Sequence, residues 1–127
     1  MIVRLPWPDM KLMPNKSKGR AWQGASKIRT EQRGAAVICT MAAIASHGPK
    51  AYEGNIPLSL LYMAPDKRHR DLDNLLAASK PILDGLAEAL GVDDSRFKPI
   101  LVDSVYSGGE GALVAAVGIQ IISGVNL

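Results

Sequence analysis

The chain has 127 residues, 47% of them hydrophobic and 21% charged, which fits one globular domain over 1–127 and argues against disorder or two domains. Its net charge of +3 hides an asymmetry: residues 1–50 carry nine Lys and Arg against Asp9 and Glu31, and residues 51–127 carry six against ten acids. A lone cysteine, Cys39, leaves no internal disulfide and reads as a small buried residue on a helix.

The apolar runs 34–45 and 113–122 are too short to span a bilayer, and MIVRLPWPDM lacks the long apolar stretch of a signal peptide. A cytoplasmic protein with no membrane partner is expected. The basic half suits a polyanion, and an acidic half that must approach the same polyanion suits a bound cation; both halves being plain solvated surface is the alternative.

Ile2–Leu5 reads as a strand, stopped by Pro6-Trp7-Pro8. From Lys11 to about Ala25 the chain is basic and turn-rich and reads as a loop. Ser26 is the expected N-cap of a helix running to about Ser46, with Ile28, Ala35, Ile38, Ala42 and Ala45 on one face and a stop at His47-Gly48-Pro49. A strand follows at Ile56–Met63. A second helix is expected over Asp73–Leu90, ended by Gly91 and kinked or divided by Pro81, which cannot donate to the Ala77 carbonyl. Ile100–Tyr106 and Ala112–Ile122 look like a hairpin joined by Ser107–Gly111. The order predicts an α+β domain, a small mixed sheet with two helices on it.

The densest polar cluster runs from Asp66 to Asn74. In extended chain Asp71 and Asp73 face one side while Leu72 points inward. Two carboxylates held together repel unless a cation lies between them, and Mg²⁺ takes one or two carboxylates while keeping waters or phosphate oxygens. The neighbouring Lys67, Arg68 and Arg70 then make sense as phosphate-holding groups. The plain alternative is that Asp73 caps the helix and Asp71 is solvated. Asp93 and Asp94 follow the second helix, where the macrodipole disfavours acids, so they call for a cation or merely form a turn. Trp22 stands among Lys16, Lys18, Arg20, Lys27 and Arg29, either to stack on an exposed base or to anchor its own loop. His47, His69 and Cys39 lack zinc spacing, and there is no phosphate-loop glycine pattern or Ser/His/Asp order.

Leu5-Pro6-Trp7-Pro8, the block from Pro65 to Leu75 (PDKRHRDLDNL) and Val92-Asp93-Asp94 resemble, in order and spacing, the RusA family of Holliday junction resolvases. The resemblance covers most of the chain and is weakest between about Asp9 and Asn55. It implies a two-fold homodimer that binds four-way DNA junctions and makes paired Mg²⁺-dependent cuts in recombination and repair, with Mn²⁺ as a possible substitute. It also implies that Asp71, Asp73 and Asp94 bind the metal, and that the host is a bacterium or a prophage. The family often carries a lysine where this chain has Ala77; Lys80, about one turn on, takes that catalytic role in the reading made here. Lys16, Lys18, Arg20, Lys27, Arg29, Lys67, Arg68 and Arg70 are the expected DNA contacts. Two other readings stand beside this one: a non-catalytic binder of branched DNA, and an α+β interaction domain whose D-x-D is only a helix cap.

Overall fold

The computed structural model describes residues 1–14, 21–48 and 50–119, without the side chains of 21–23. Lys16, Lys18, Arg20, Pro49 and the expected strand residues 120–122 lie outside the described residues, as does the Trp22 side chain. The elements are β1 (Ile2–Leu5), α1 (Ala21–His47), β2 (Ile56–Ala64), α2 (Leu72–Ala78), α3 (Lys80–Leu90), β3 (Phe97–Tyr106) and β4 (Ala112–Val117). Short helical turns occupy Met10–Leu12 and Asp94–Arg96. The architecture is α+β: a mixed four-stranded sheet, ordered β1-β4-β2-β3, with three helices.

The alternation of β2 buries Ile56, Leu58, Leu60 and Tyr62, which share one core with Leu75, Ile82 and Leu86 of the helices. The hairpin expected between β3 and β4 does not form. β2 separates them, pairing parallel with β3 and antiparallel with β4. The reason lies in burial: β2 and β4, the strands with mostly buried side chains, take the two central places, while the glycine-rich connection from Ser107 crosses the end of β2. There the Ser107 and Gly108 amides both donate to the Ala64 carbonyl. Gly108, Gly109 and Gly111 all adopt positive φ, a path that L side chains resist. β3 is left as an edge strand with Leu101, Val105 and Tyr106 exposed.

α1 begins at Ala21, so Ser26 lies inside it and is not its cap; the Ser26 carbonyl accepts a bond from the Thr30 hydroxyl. The apolar face read from the sequence is also corrected. Ile38 is 73% exposed, whereas Ala25, Ala36 and Thr40 are buried. Small residues win because α1 and α3 approach closely at Gly85, where a Cβ would stand 2.4 Å from the Arg33 carbonyl oxygen and 2.8 Å from Ala36 Cβ. The Thr40 hydroxyl tolerates burial by donating to the Ala36 carbonyl at 2.7 Å. The helix expected at 73–90 is two helices, divided at Ser79, with Pro81 in the first turn of α3. Gly91 ends α3 with φ 71°, the left-handed stop that the sequence predicts.

Candidate active site

The loop from Pro65 to Asp71 leaves the end of β2 and is held by a chain of interactions reaching into the core. Asp66 accepts the Arg68 amide at 3.0 Å and the Arg70 guanidinium at 2.7 Å. Arg70 also donates to the Arg68 carbonyl and lies 5.3 Å over the Trp7 ring. Trp7 meets Tyr62 edge-on at 6.1 Å. The Tyr62 hydroxyl lies 2.9 Å from Ser79 Oγ, and Ser79 donates to the Leu75 carbonyl at 2.7 Å, inside the helix break. Burial pushes the Tyr62 pKa up to about 12, so this hydroxyl stays protonated. The two sequence motifs, Leu5–Pro8 and the Asp66–Asn74 block, thus meet through Arg70 and Trp7. Arg70, expected on DNA, has a side chain only 10% exposed and faces inward. Lys67 sits 5.3 Å over the Tyr106 ring, and Arg68 is exposed beside Asp66.

Asp71 occupies the N-cap position of α2 but makes no side-chain cap bond; its carboxylate meets His69 Nε2 at 3.0 Å. Asp73 is in the first helical turn and accepts the Asn74 amide at 3.0 Å. Only Asp71 is extended, so the strand-like alternation expected for the pair is replaced by a helix start. Neither acid is a conventional cap. At the other end of the helix pair Asp93 caps the turn Asp94–Arg96 by accepting the Ser95 amide at 2.9 Å, and this bond holds its carboxyl below the usual range. That leaves Asp94 to face inward across the site.

Lys80 joins the pieces. Its ammonium pairs with Asp94 and, at 3.0 Å, with Asp84, and these two bonds raise its pKa. Asp73, Ala77, Lys80 and Asp94 line one open cleft of about 520 Å³, floored by Leu76, Phe97 and Ile100. The helix break sets this geometry, since Lys80 is the first residue of α3 and turns toward Asp94. Asp84 was not singled out in the sequence, although its position four residues after Lys80 marks it as a helical ion-pair partner.

Among the described residues no three His, Cys, Asp or Glu side chains stand together as a metal cage. The donor chemistry fits a hard cation held by one or two carboxylates, because Asp73 and Asp94 share the cleft; such a cation would share Asp94 with the Lys80 ammonium. Asp71 does not line that cleft and pairs with His69 instead. Of the expected DNA contacts on α1, Lys27 pairs loosely with Glu31 at 3.9 Å, and Arg29 lines a neighbouring groove. No helix among the described residues is long and apolar enough to cross a membrane.

The fold and the cleft define an α+β domain whose acids and bases gather around a divided helix. No known family profile matches the chain. It is 36% identical over 110 residues to a protein of Xylella fastidiosa (strain Temecula1 / ATCC 700964) described as an uncharacterized protein; the match covers 85% of this chain and 71% of that one. The chain belongs to the family of that bacterial protein.

Proposed function

We propose that the chain is a metal-dependent endonuclease of the RusA type that resolves four-way DNA junctions, working in a bacterial or prophage-derived cytoplasmic setting. The observation that carries this reading is the shared cleft, in which Asp73 and Asp94 stand with a lysine ammonium between acidic groups. Mg²⁺, or Mn²⁺ in its place, held by Asp73 and Asp94 with Asp71 nearby, would supply positive charge beside the reacting phosphate. Lys80 is charged at neutral pH, its acid partners raise its pKa further, and it neutralises charge that builds on the phosphate oxygens. Asp94 orients that ammonium toward the cleft. Lys67 and Arg68, on the exposed loop, hold flanking phosphates, while Arg70 fixes the loop that presents them. The overall step is hydrolysis: water adds to phosphorus, and the bond to a sugar oxygen breaks.

A two-fold dimer suits a nearly two-fold junction, and the open edge of β3, with its exposed Leu101 and Val105, supports pairing with a second copy. The second reading, a binder of branched DNA that does not cut, is favoured by one observation: the carboxylates are not gathered into a closed metal cage. Labelled four-way junction and linear duplex, incubated with and without Mg²⁺, separate the two. Paired cuts near the crossover, requiring Mg²⁺ and lost in Asp94→Asn, support the nuclease. Tight junction binding without cuts at any metal concentration establishes the binder instead.

A further inference from the structure

We infer that a second DNA phosphate, adjacent along the strand to the one at the acidic cleft, is held in the groove between α1 and the α2–α3 elbow by Arg29, Arg33 and Lys80. This rests on the acidic cleft being a DNA-processing centre and specifies where the strand leaves it. The groove has a volume of about 460 Å³ and is lined by Arg29, Thr30, Arg33, Ala77, Lys80 and Asp84. Ala77 and Lys80 also line the acidic cleft, so the two depressions share a rim made of one methyl group and one ammonium.

The two sides of that rim differ in the charges that line them. In the acidic cleft two carboxylates face one ammonium, a net demand for a cation. In the groove Arg29, Arg33 and Lys80 face the carboxylate of Asp84; Arg33 also pairs with Glu88 and Lys80 with Asp94, so Arg29 brings the positive charge left to take an anion. A phosphate beside a cation that Asp73 and Asp94 would hold, followed by a bare phosphate at Arg29 and Arg33, would suit that difference.

Arg29 and Arg33 are one helical turn apart and project from the same face of α1. Arg29 has no acidic partner among the described residues. Arg33 gives one nitrogen to Glu88 at 3.1 Å and keeps its remaining N–H groups. Lys80 uses two of its three donors on Asp84 and Asp94, leaving one for the strand that crosses it. The Thr30 hydroxyl already donates to the Ser26 carbonyl, so it shapes the groove without holding the anion. Two arginine forks match the paired unesterified oxygens of a phosphodiester. Ala77 is small enough to leave the rim low, which keeps the path between the depressions open.

The test measures binding apart from cutting. Affinity for a fluorescent four-way junction and for linear duplex is followed over about 50–200 mM salt, with Ca²⁺ in place of Mg²⁺. Arg29→Gln and Arg33→Gln should each weaken binding to both DNAs and reduce the slope of log affinity against log salt, and the double variant should reduce it by up to about 0.9, the value for one phosphate contact. Lys50→Gln, an exposed lysine ahead of β2, should leave the slope unchanged. An unaltered slope in both arginine variants, with wild type binding normally, overturns the groove and leaves the nuclease reading standing. A reduced slope in a protein that never cuts DNA supports the groove and removes the nuclease. If wild type binds no DNA, both fall. Arg33→Lys keeps charge without the fork, so it should keep the wild-type slope while losing affinity, and thereby separates a phosphate contact from loss of the Glu88 pair.

Discussion

The loop end of β2 and the rim of the helix elbow contain similar charge pairs in different states. In the first, Arg70 is almost covered and has Asp66, the Arg68 carbonyl and the Trp7 face as partners. In the second, Lys80 is 63% exposed and has two carboxylates with one donor to spare. The planar guanidinium, largely covered, fixes a backbone; the ammonium, flanked by acids, stays open to solvent. Ion pairing alone does not separate groups that fix the fold from groups open to solvent. Burial does.

The largest effect should come from the open side. Asp73→Asn or Asp94→Asn should lower junction cutting by about 100-fold or more while leaving DNA binding intact, read by cleavage and anisotropy in parallel. Asp66→Asn, an acid of the buried side, should change cutting far less. Equal losses in the two sets of variants would erase the distinction between the regions.

Gly85→Ala tests the support beneath both. Its methyl would meet the Arg33 carbonyl at 2.4 Å, a backbone atom that cannot swing away. A loss of about 1–3 kcal/mol in urea unfolding is expected. Tyr62→Phe removes one buried hydrogen bond but leaves Ser79 bonded to Leu75, so it should cost about 0.5–1.5 kcal/mol and leave the metal dependence of cutting unchanged.

The smallest effect is a pH signature. The Arg68 amide foremost, and Arg70 after it, hold the Asp66 carboxyl below its ordinary 3.8. A depressed folded value means stability that is present above pH 3.8 and is lost as pH falls through the folded value. Asp66→Asn should therefore flatten the acid-side decline in melting temperature below pH 3.8. An unchanged acid limb would show that the Asp66–Arg70 pair is not what fastens the loop.

Local signals were legible and long-range ones were not. The bounds of β1, the glycine stop at Gly91 and the interruption by Pro81 all follow from residue chemistry within a few positions. The partners of β3 and β4 depend on which strand is buried most deeply, a property of the assembled sheet. The buried face of α1 is set by the close approach at Gly85, which favours Ala36 over Ile38. At the site, the helical turn places Lys80 near the position of Ala77, but its pairing with Asp94, beyond the end of α3, depends on the fold and not on local spacing. The inward turn of Arg70 could not be anticipated, because its partner Trp7 is distant in sequence.

The position of β4 bears on how the chain acquires its shape during synthesis. β4 lies between β1 and β2, with Ile2 opposite Ala116, and the Met1 ammonium donates to the Val117 carbonyl at 3.1 Å. Until that segment leaves the ribosome, the first strand has no neighbour and one side of β2 stays unpaired. Assembly of the sheet therefore waits for nearly the last described residues, and a nascent chain stalled earlier presents a bare apolar strand to chaperones or to other stalled copies.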